Sequence, residues 1–240
     1  MFHAGIIEDI KNHARAEFPK ECCGIVTGSA YIPMQNIHEE PENAFRIDPK
    51  EVAPYIVSGR MAAIVHSHVA ENPKDNYPTK LDMEMQLSSG VPWGIVHVSS
   101  DGSCEGPFWF GEGAPILPLI GREFKHGISD CYSGCRDKFR LEKNIILPLA
   151  PRTNEWWDNG ENIVLENFSG MGFREVGIKQ IQPYDVGLFA IRSNGIANHV
   201  GMYVGNGLMF HHLSGRLSRE DPMEPWLKYL IKLVRHESLM

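Results

Sequence analysis

Hydrophobic and polar positions follow two different periods along the first half of the chain. Between residues 4 and 18, apolar residues recur at three- and four-residue spacing with charged residues between them, which predicts an amphipathic helix. A second helix is predicted from Lys80 to about Leu87, because Gly90 is a typical stop signal. Short runs rich in Ile and Val predict strands at 24–26, 62–65 and 93–98. Helices interleaved with strands indicate a small mixed α/β domain.

The periodic pattern is interrupted between Gly111 and Pro118, in a stretch rich in Gly and Pro. Such stretches commonly separate domains, and we therefore predict one domain at residues 1–112 and another at 119–240. The second domain is predicted to begin with a helix near Cys131. Strands are predicted after that helix at 186–191, 199–204 and 208–212. This order indicates an α+β domain in which a helix packs on an antiparallel sheet.

Composition narrows the classes of partner. No stretch approaches the roughly 20 apolar residues of a membrane-spanning helix, so membrane insertion is not expected. The residues up to Pro118 hold 8 Lys and Arg against 16 Asp and Glu, and the remaining residues hold 15 against 14. Because the acidic half repels phosphate and the other half has no basic excess, nucleic acid is not an expected partner. Five cysteines without a CxxC pair indicate reduced thiols in a cytoplasm.

The first candidate site is centred on His66 and His68, at the end of a predicted strand. Side chains alternate along a strand, so both imidazoles lie on one face and can bind one ion. A third ligand from Asp82 would give two nitrogens and one oxygen with one open position, which is typical of catalytic zinc. Glu21 would then act as a general base. A competing interpretation places Asp82 in a capping box with Thr79, at the start of the second helix.

Together these residues resemble the JAMM (Mov34/MPN, JAB) family of metalloproteases. That family has a Glu shortly before a Cys-Gly pair, then His-Ser-His, then Ser-x-x-Asp. This chain has Glu21 before such a pair, and Thr79 three residues before Asp82. The resemblance implies that Zn²⁺ is bound by His66, His68 and Asp82. It also implies that Glu21 is the general base and that Thr79 replaces the serine that stabilises the oxyanion.

The chain differs from that family at two places. Val69 stands where a proline usually follows the second histidine. The segment between His68 and Thr79 is three residues longer than usual. We expect this longer loop, residues 70–78, either to change the shape of the cleft beside the metal or to leave the site poorly formed.

The second candidate site begins at Asp130 and Cys131, where the sequence is typical of a helix start. A cysteine nucleophile must be partly thiolate, and the unpaired amides of a helix N-terminus lower the pKa of a thiol. A histidine that accepts the proton and a polar residue that orients it complete such a site. Taken alone, Cys131 is better explained as a buried core residue, and Cys135 lies on the same helical face.

The histidines available to this cysteine lie on a predicted hairpin. His199 is on its first strand, and the pair His211 and His212 ends its second strand. A two-residue loop at the Asn-Gly turn would place His212 on the same face as His199, whereas a three-residue loop would place His211 there. The spacing of hydrophobic residues does not decide between these registers.

The same residues resemble the NlpC/P60 family of cysteine peptidases, which hydrolyse peptide bonds in the stem peptides of bacterial peptidoglycan. Members have Asp-Cys at a helix start, His-Val-Gly-x-Tyr on a strand, and a polar residue twelve positions after that histidine. Twelve positions after His199 is His211. The resemblance implies a papain-like fold with Cys131 as nucleophile, His199 as base and His211 as the orienting residue. A Gly-Asp motif of the family is present with Tyr184 in place of the glycine.

The order of the two domains resembles that in tail tip proteins of lambda-like siphophages. This resemblance implies peptidoglycan stem peptides and phage tail tip proteins as partners. It also implies a location in the host cytoplasm during tail assembly, with the virion tail tip as a second location. We expect a phage tail-associated peptidase whose zinc site cleaves another amide or isopeptide bond. The alternative hypothesis is a tail-tip assembly factor whose sites are vestigial or act only in binding.

Overall fold

The computed structural model describes residues 2–69, 77–192 and 194–240. The chain divides into two compact units, Met1–Pro115 and Ile116–Met240. Among the described residues, no helix combines the length and the apolar character needed to cross a membrane. The longer loop expected to change the first cleft lies outside the described residues, except for its last two positions.

In its described residues, the first unit consists of a five-stranded sheet and three helices. Its elements are α1 (Ala4–Glu17), β1 (Cys23–Val26), β2 (Tyr31–Met34), α2 (Pro49–Val57), β3 (Ala63–His68), α3 (Lys80–Ser89), β4 (Trp93–Val98) and β5 (Cys104–Phe110). The strand order is β2-β1-β3-β4-β5, in which β3 and β4 are parallel and the other neighbours antiparallel. The mixed α/β class is confirmed, although the sequence pattern does not predict β2, β5 or α2.

Alternation along β3 separates the core of this unit from its candidate site. Helix α1 buries one apolar face against a cluster that includes Ala63 and Val65. Ile64 packs on the opposite side, with Phe45 and other residues. Because successive side chains of a strand point to opposite faces, His66 and His68 lie on the side of the sheet away from α1.

Over residues 116–192 and 194–240, the second unit is a six-stranded sheet covered by a long helix. Its main elements are α4 (Cys131–Lys143), α5 (Ile163–Asn167), β6 (Phe173–Glu175), β7 (Val186–Phe189), β8 (His199–Gly205), β9 (Leu208–His211), β10 (Arg219–Pro222) and β11 (Leu230–His236). The strand order is β10-β9-β8-β7-β11-β6, with antiparallel neighbours throughout. Helix α4 packs against β8 and β9, so the predicted helix on an antiparallel sheet is confirmed. The sequence pattern does not predict β6, β10 or β11.

The β8–β9 hairpin combines features of both predicted registers. Gly205 pairs with Leu208 across a two-residue turn, as the shorter loop predicts. A register shift follows at once, and in the next pairs the alignment is that of the longer loop, so that Gly201 lies opposite His211. His199 therefore shares a face of the sheet with His211.

Two candidate hydrolytic sites

The candidate metal ligands converge where β3 ends and α3 begins. The Nε2 atoms of His66 and His68 are 3.0 Å apart. The carboxylate of Asp82 lies 3.4 Å from Nε2 of His66 and 3.5 Å from Nε2 of His68. All three side chains are buried, and their ligand atoms lie within 4.8 Å of one another. Two imidazole nitrogens and a carboxylate oxygen suit zinc, so these residues fit an ion of that kind.

Asp82 belongs to a helix cap and to the ligand cluster at the same time. Its Oδ2 accepts hydrogen bonds from the backbone N–H of Thr79 at 2.8 Å and from the Thr79 hydroxyl at 2.7 Å. In return, Asp82 N–H donates to Oγ1 of Thr79 at 3.1 Å, which completes a capping box. The other oxygen, Oδ1, is the one close to His66. The two interpretations of Asp82 that compete in the sequence are therefore compatible.

Glu21 is buried, lies in the chain segment that joins α1 to β1, and is within electrostatic reach of the ligand cluster. Its backbone N–H donates to Pro41 O at 2.7 Å. Burial raises the pKa of Glu21 to about 7, Asp82 adds to this rise, and His68 opposes it. A carboxyl group with such a pKa can accept and return a proton near neutral pH, as the predicted general base must.

Asn36 and Phe45 support this site without any signal in the sequence. The amide of Asn36 donates to the backbone carbonyls of Glu21 and Ala44, at 2.9 and 3.0 Å. This bridge holds the segment that carries Phe45, whose ring stacks on His66 with centroids 4.5 Å apart. Burial lowers the pKa of His66 to about 3, so its imidazole is neutral, as a metal ligand must be. Asn36 and Phe45 do not belong to a short motif, because their partners are distant in sequence.

A cleft of about 610 Å³ opens beside the ligand cluster. Its walls include Glu21 and Asp82, together with apolar side chains from α2 and α3. Among these, Leu81 is 62% exposed and Met85 49% exposed. A cleft of this size and mixed polarity is typical of sites that bind small molecules or short peptide segments.

Cys131 is the first residue of α4, and Asp130 caps the helix in front of it. Oδ1 of Asp130 accepts a hydrogen bond from Ser133 N–H at 2.9 Å, and Oδ2 accepts one from Gly127 N–H at 2.8 Å. Oδ2 also accepts from the guanidinium of Arg152. Burial opposes the charged form, but Arg152 and the other partners outweigh it and hold the pKa of Asp130 below its ordinary value. Asp130 thus fixes the start of the helix as a paired carboxylate.

The Cys131 thiol is buried, and its pKa differs from the sequence-based prediction. Burial raises the pKa of Cys131 to about 12, and the charge of Asp130 adds to this effect. The lowered pKa predicted from the helix N-terminus is therefore wrong for the resting structure, because burial outweighs the amides there. A hydrogen bond with the backbone of Val200 opposes the rise, and this contact places the thiol beside the first residues of β8.

His199 and His211 form a chain of hydrogen bonds that ends at a carboxylate. Nε2 of His199 lies 3.1 Å from Nδ1 of His211. Nε2 of His211 lies 3.1 Å from Oδ2 of Asp221. Trp226 covers both rings, with centroid distances of 5.8 Å to His199 and 4.7 Å to His211. Burial lowers the pKa of His199 to about 3, so the ring is neutral near pH 7.

His212 lies outside this chain, since its Nε2 donates to the backbone carbonyl of Arg216 at 3.1 Å. Asp221 and Trp226 contact these histidines, and no sequence motif indicates either residue. Asp221 is on β10, a strand that the hydrophobic pattern does not predict, and no face could be assigned to its side chain. An alternating pattern around Asp221 would have been the only available signal.

A small, mainly apolar cavity of about 70 Å³ lies beside Cys131 and His199. Part of its wall comes from the segment between α4 and β6, including Trp156, Val164 and Phe168. The exposed fraction is 9% for Cys131 and 2% for His199. The reactive groups of this site are therefore largely covered.

Comparison with known proteins assigns both halves to families. Residues 3–105 match the prokaryotic homologs of the JAB domain, and residues 121–235 match the NlpC/P60 family. The chain is 33% identical over 183 residues to tail tip assembly protein K of Escherichia phage lambda, covering 76% of this chain and 85% of that protein. It is 30% identical over 240 residues to tail tip assembly protein K of Escherichia phage N15, covering 97% and 95%.

The chain belongs to the tail tip assembly protein K family. The predicted resemblances to JAB-type and NlpC/P60 domains are confirmed, in the predicted order. Among solved structures, an NLP/P60-family protein of Staphylococcus aureus shares 17% identity, covering 49% of this chain and 37% of that chain, with a TM-score of 0.35.

Proposed function

We propose that this chain is a phage tail-associated peptidase that hydrolyses peptide bonds in peptidoglycan stem peptides. The observation that carries the proposal is the hydrogen bond between His199 and His211, beside the helix that begins with Cys131. A neutral imidazole held by a second polar ring is the arrangement that a cysteine nucleophile requires. The names of the two phage relatives support a role in tail tip assembly. We infer from this that the chain acts with tail tip proteins in the host cytoplasm during assembly, with the virion tail tip as a second location.

In the proposed reaction, the Cys131 thiol gives its proton to His199 and the sulfur attacks the carbonyl carbon of a stem-peptide amide. His199 then returns the proton to the leaving nitrogen as the C–N bond breaks, which leaves a thioester on Cys131. Water then attacks the thioester carbonyl, with His199 taking a proton from the water, and the C–S bond breaks to release the carboxylic acid product. His199 returns its proton to the sulfur of Cys131, which restores the resting site. His211 orients the base throughout. Because thiol and imidazole are both neutral at rest, substrate binding must favour the proton transfer.

The first unit is proposed to be a zinc-dependent hydrolase of another amide or isopeptide bond. His66, His68 and Asp82 would hold the ion through two imidazole nitrogens and a carboxylate oxygen. Zinc in such a site supplies Lewis-acid polarisation of a carbonyl group. Glu21, with its pKa raised to about 7, takes up and returns the proton. The adjacent cleft binds the peptide segment around the scissile bond.

Digestion of purified Gram-negative peptidoglycan tests the cysteine site, with mass spectrometry of the released fragments. Wild-type protein is expected to release stem-peptide fragments, and Cys131→Ala to release none. Cys135→Ala is the matched control, because Cys135 lies one helical turn further along the same helix and has no proposed role. Equal release by wild type and Cys131→Ala would refute the proposal.

A tail-tip assembly factor with sites that do not turn over is the second candidate. The covered Cys131 thiol, whose pKa is raised to about 12, favours it, because a site used only for binding needs no activated nucleophile. Phages that carry Cys131→Ala separate the two functions. Normal infection would support the assembly factor, whereas complete tails without infectivity would support the peptidase.

A further inference from the structure

The outer end of the histidine chain is anchored by a charged group. Oδ2 of Asp221 lies 3.1 Å from Nε2 of His211 and accepts a hydrogen bond from Nε of Arg219 at 2.8 Å. Burial opposes the charged form of Asp221, but the hydrogen bonds from His211 and Arg219 outweigh it and hold its pKa below the ordinary value. Asp221 is therefore a carboxylate near pH 7 and can only accept hydrogen bonds.

That carboxylate leaves one arrangement of protons for the two neutral imidazoles. If His211 carried its proton on Nδ1, the lone pair of Nε2 would face the Asp221 carboxylate at 3.1 Å, with two acceptors opposed. With the proton on Nε2, His211 donates to Asp221, and its Nδ1 accepts. The ring facing Nδ1 is His199, which must then donate from Nε2. Because a neutral imidazole has one N–H, Nδ1 of His199 keeps its lone pair.

We propose that Asp221 is a positioning residue that sets the tautomer of both histidines and keeps Nδ1 of His199 free to accept the Cys131 proton. The assignment rests on the proposed peptidase function for its consequence in catalysis, whereas the proton positions follow from the hydrogen-bond contacts together with the charge of Asp221 and the neutral histidines. The opposite tautomer of His199 would carry a proton on Nδ1 and leave no lone pair for the thiol proton. Asp221 thus acts on the reaction through two intervening rings.

Two substitutions separate this role from simple packing. Asp221→Ala removes the acceptor, so His211 is expected to lose its preference for the Nε2–H form. Asp221→Asn is expected to keep that preference, because Arg219 only donates and holds the amide oxygen where Oδ2 stood. Glu220→Gln is the matched control. Glu220 precedes Asp221 on β10, lies opposite Phe210 and faces the other side of the sheet.

The test is nitrogen NMR of ¹⁵N-histidine-labelled full-length protein, with His199 and His211 assigned by His→Gln variants. The expected spectra show both residues as Nε2–H in wild type, Asp221→Asn and Glu220→Gln, and as mixed tautomers in Asp221→Ala. On stem peptides, Asp221→Ala is expected to lower kcat about 10- to 100-fold with little change in KM, and Asp221→Asn to restore most of it.

The two measurements distinguish failure of this inference from failure of the proposed function. Unchanged tautomers in Asp221→Ala would overturn the role of Asp221, whatever the activity. If the spectra of wild type and Asp221→Ala are as expected but the wild-type protein cleaves no peptidoglycan, the role of Asp221 in setting the protons is supported. The peptidase function is then refuted. Mixed tautomers with full activity in Asp221→Ala would overturn its importance for the reaction.

Discussion

The two candidate sites differ in how their polar atoms are satisfied. In the first unit, the metal-ligand atoms of His66, His68 and Asp82 all lie within 4.8 Å of one another. The other ring nitrogen of His66, Nδ1, has no hydrogen-bond partner among the described residues. In the second unit, His199 hydrogen-bonds to His211, which continues the chain to a carboxylate. The first cluster therefore has the spacing of a group that could hold a cation, whereas the second is a chain of hydrogen bonds between side chains.

The sites also differ in access. The ligand cluster borders a cleft of about 610 Å³, whereas the cavity beside Cys131 has about 70 Å³. The first site therefore has an open cleft beside its ligand cluster, whereas the reactive groups of the second site are covered. This difference can be tested at each site separately.

The largest expected effect is loss of zinc from ligand variants. Wild-type protein is expected to retain about one zinc ion per chain after dialysis, and His68→Ala and Asp82→Asn to retain almost none, because catalytic zinc needs three protein ligands. Mass spectrometric metal analysis measures this ratio. His3→Gln, an exposed histidine ahead of α1, serves as the control. Equal zinc in Asp82→Asn and wild type would show that the cluster is not the metal site.

A second prediction concerns the reactivity of the covered thiol. A pKa raised from 9.0 to about 12 lowers the thiolate fraction near pH 7 by about 1000-fold, and the thiolate is the reactive form. Alkylation of Cys131 is therefore expected to be slow and to accelerate about tenfold per pH unit beyond pH 9. Mass spectrometry of the labelled peptide measures the rate.

The same cysteine in urea-unfolded protein is the control for this rate, since its pKa there is ordinary. A folded-state rate that levels off below pH 9 would show a thiol that is activated at rest. That outcome would contradict the conclusion that the reactive thiol of the second site is covered and protonated at rest.

The smallest expected effect comes from the cap shared by Thr79 and Asp82. Thr79→Ala is expected to destabilise the first unit by about 1 kcal/mol, as loss of a helix cap does. It should also weaken zinc binding about tenfold, because the hydroxyl no longer orients the Asp82 carboxylate. Thermal unfolding and zinc titration measure the two effects. Ser88 is exposed on the same helix, and Ser88→Ala is expected to change neither quantity. Unchanged zinc affinity in Thr79→Ala would show that the helix cap does not support the metal site.

Much of this organisation is predictable because it depends on local patterns. The His-x-His spacing places two imidazoles on one strand face, and the Thr79 and Asp82 spacing gives both a cap and a ligand. The position of Cys131 at a helix start follows equally from Asp130 before it. In each case, the partners lie within a few residues, so their geometry follows from the secondary structure.

Other features depend on contacts between distant segments, and no local pattern indicates them. The bulge that brings His211 into line with His199 interrupts an otherwise regular hairpin. The segment between α4 and β6 lines the cavity beside Cys131, and burial of the thiol reverses the predicted direction of its pKa. Tyr184 replaces a family glycine and has a positive φ of 77°, which explains why glycine suits that position.

Peptidoglycan digestion with and without a chelator tests whether the cysteine site cleaves stem peptides independently of the metal site. Wild-type protein with chelator is expected still to release stem-peptide fragments. Zinc-loaded Cys131→Ala is predicted to release none of them. Release of the same fragments by zinc-loaded Cys131→Ala, with loss of release from the chelated wild type, would contradict the account and assign the cleavage to the first unit.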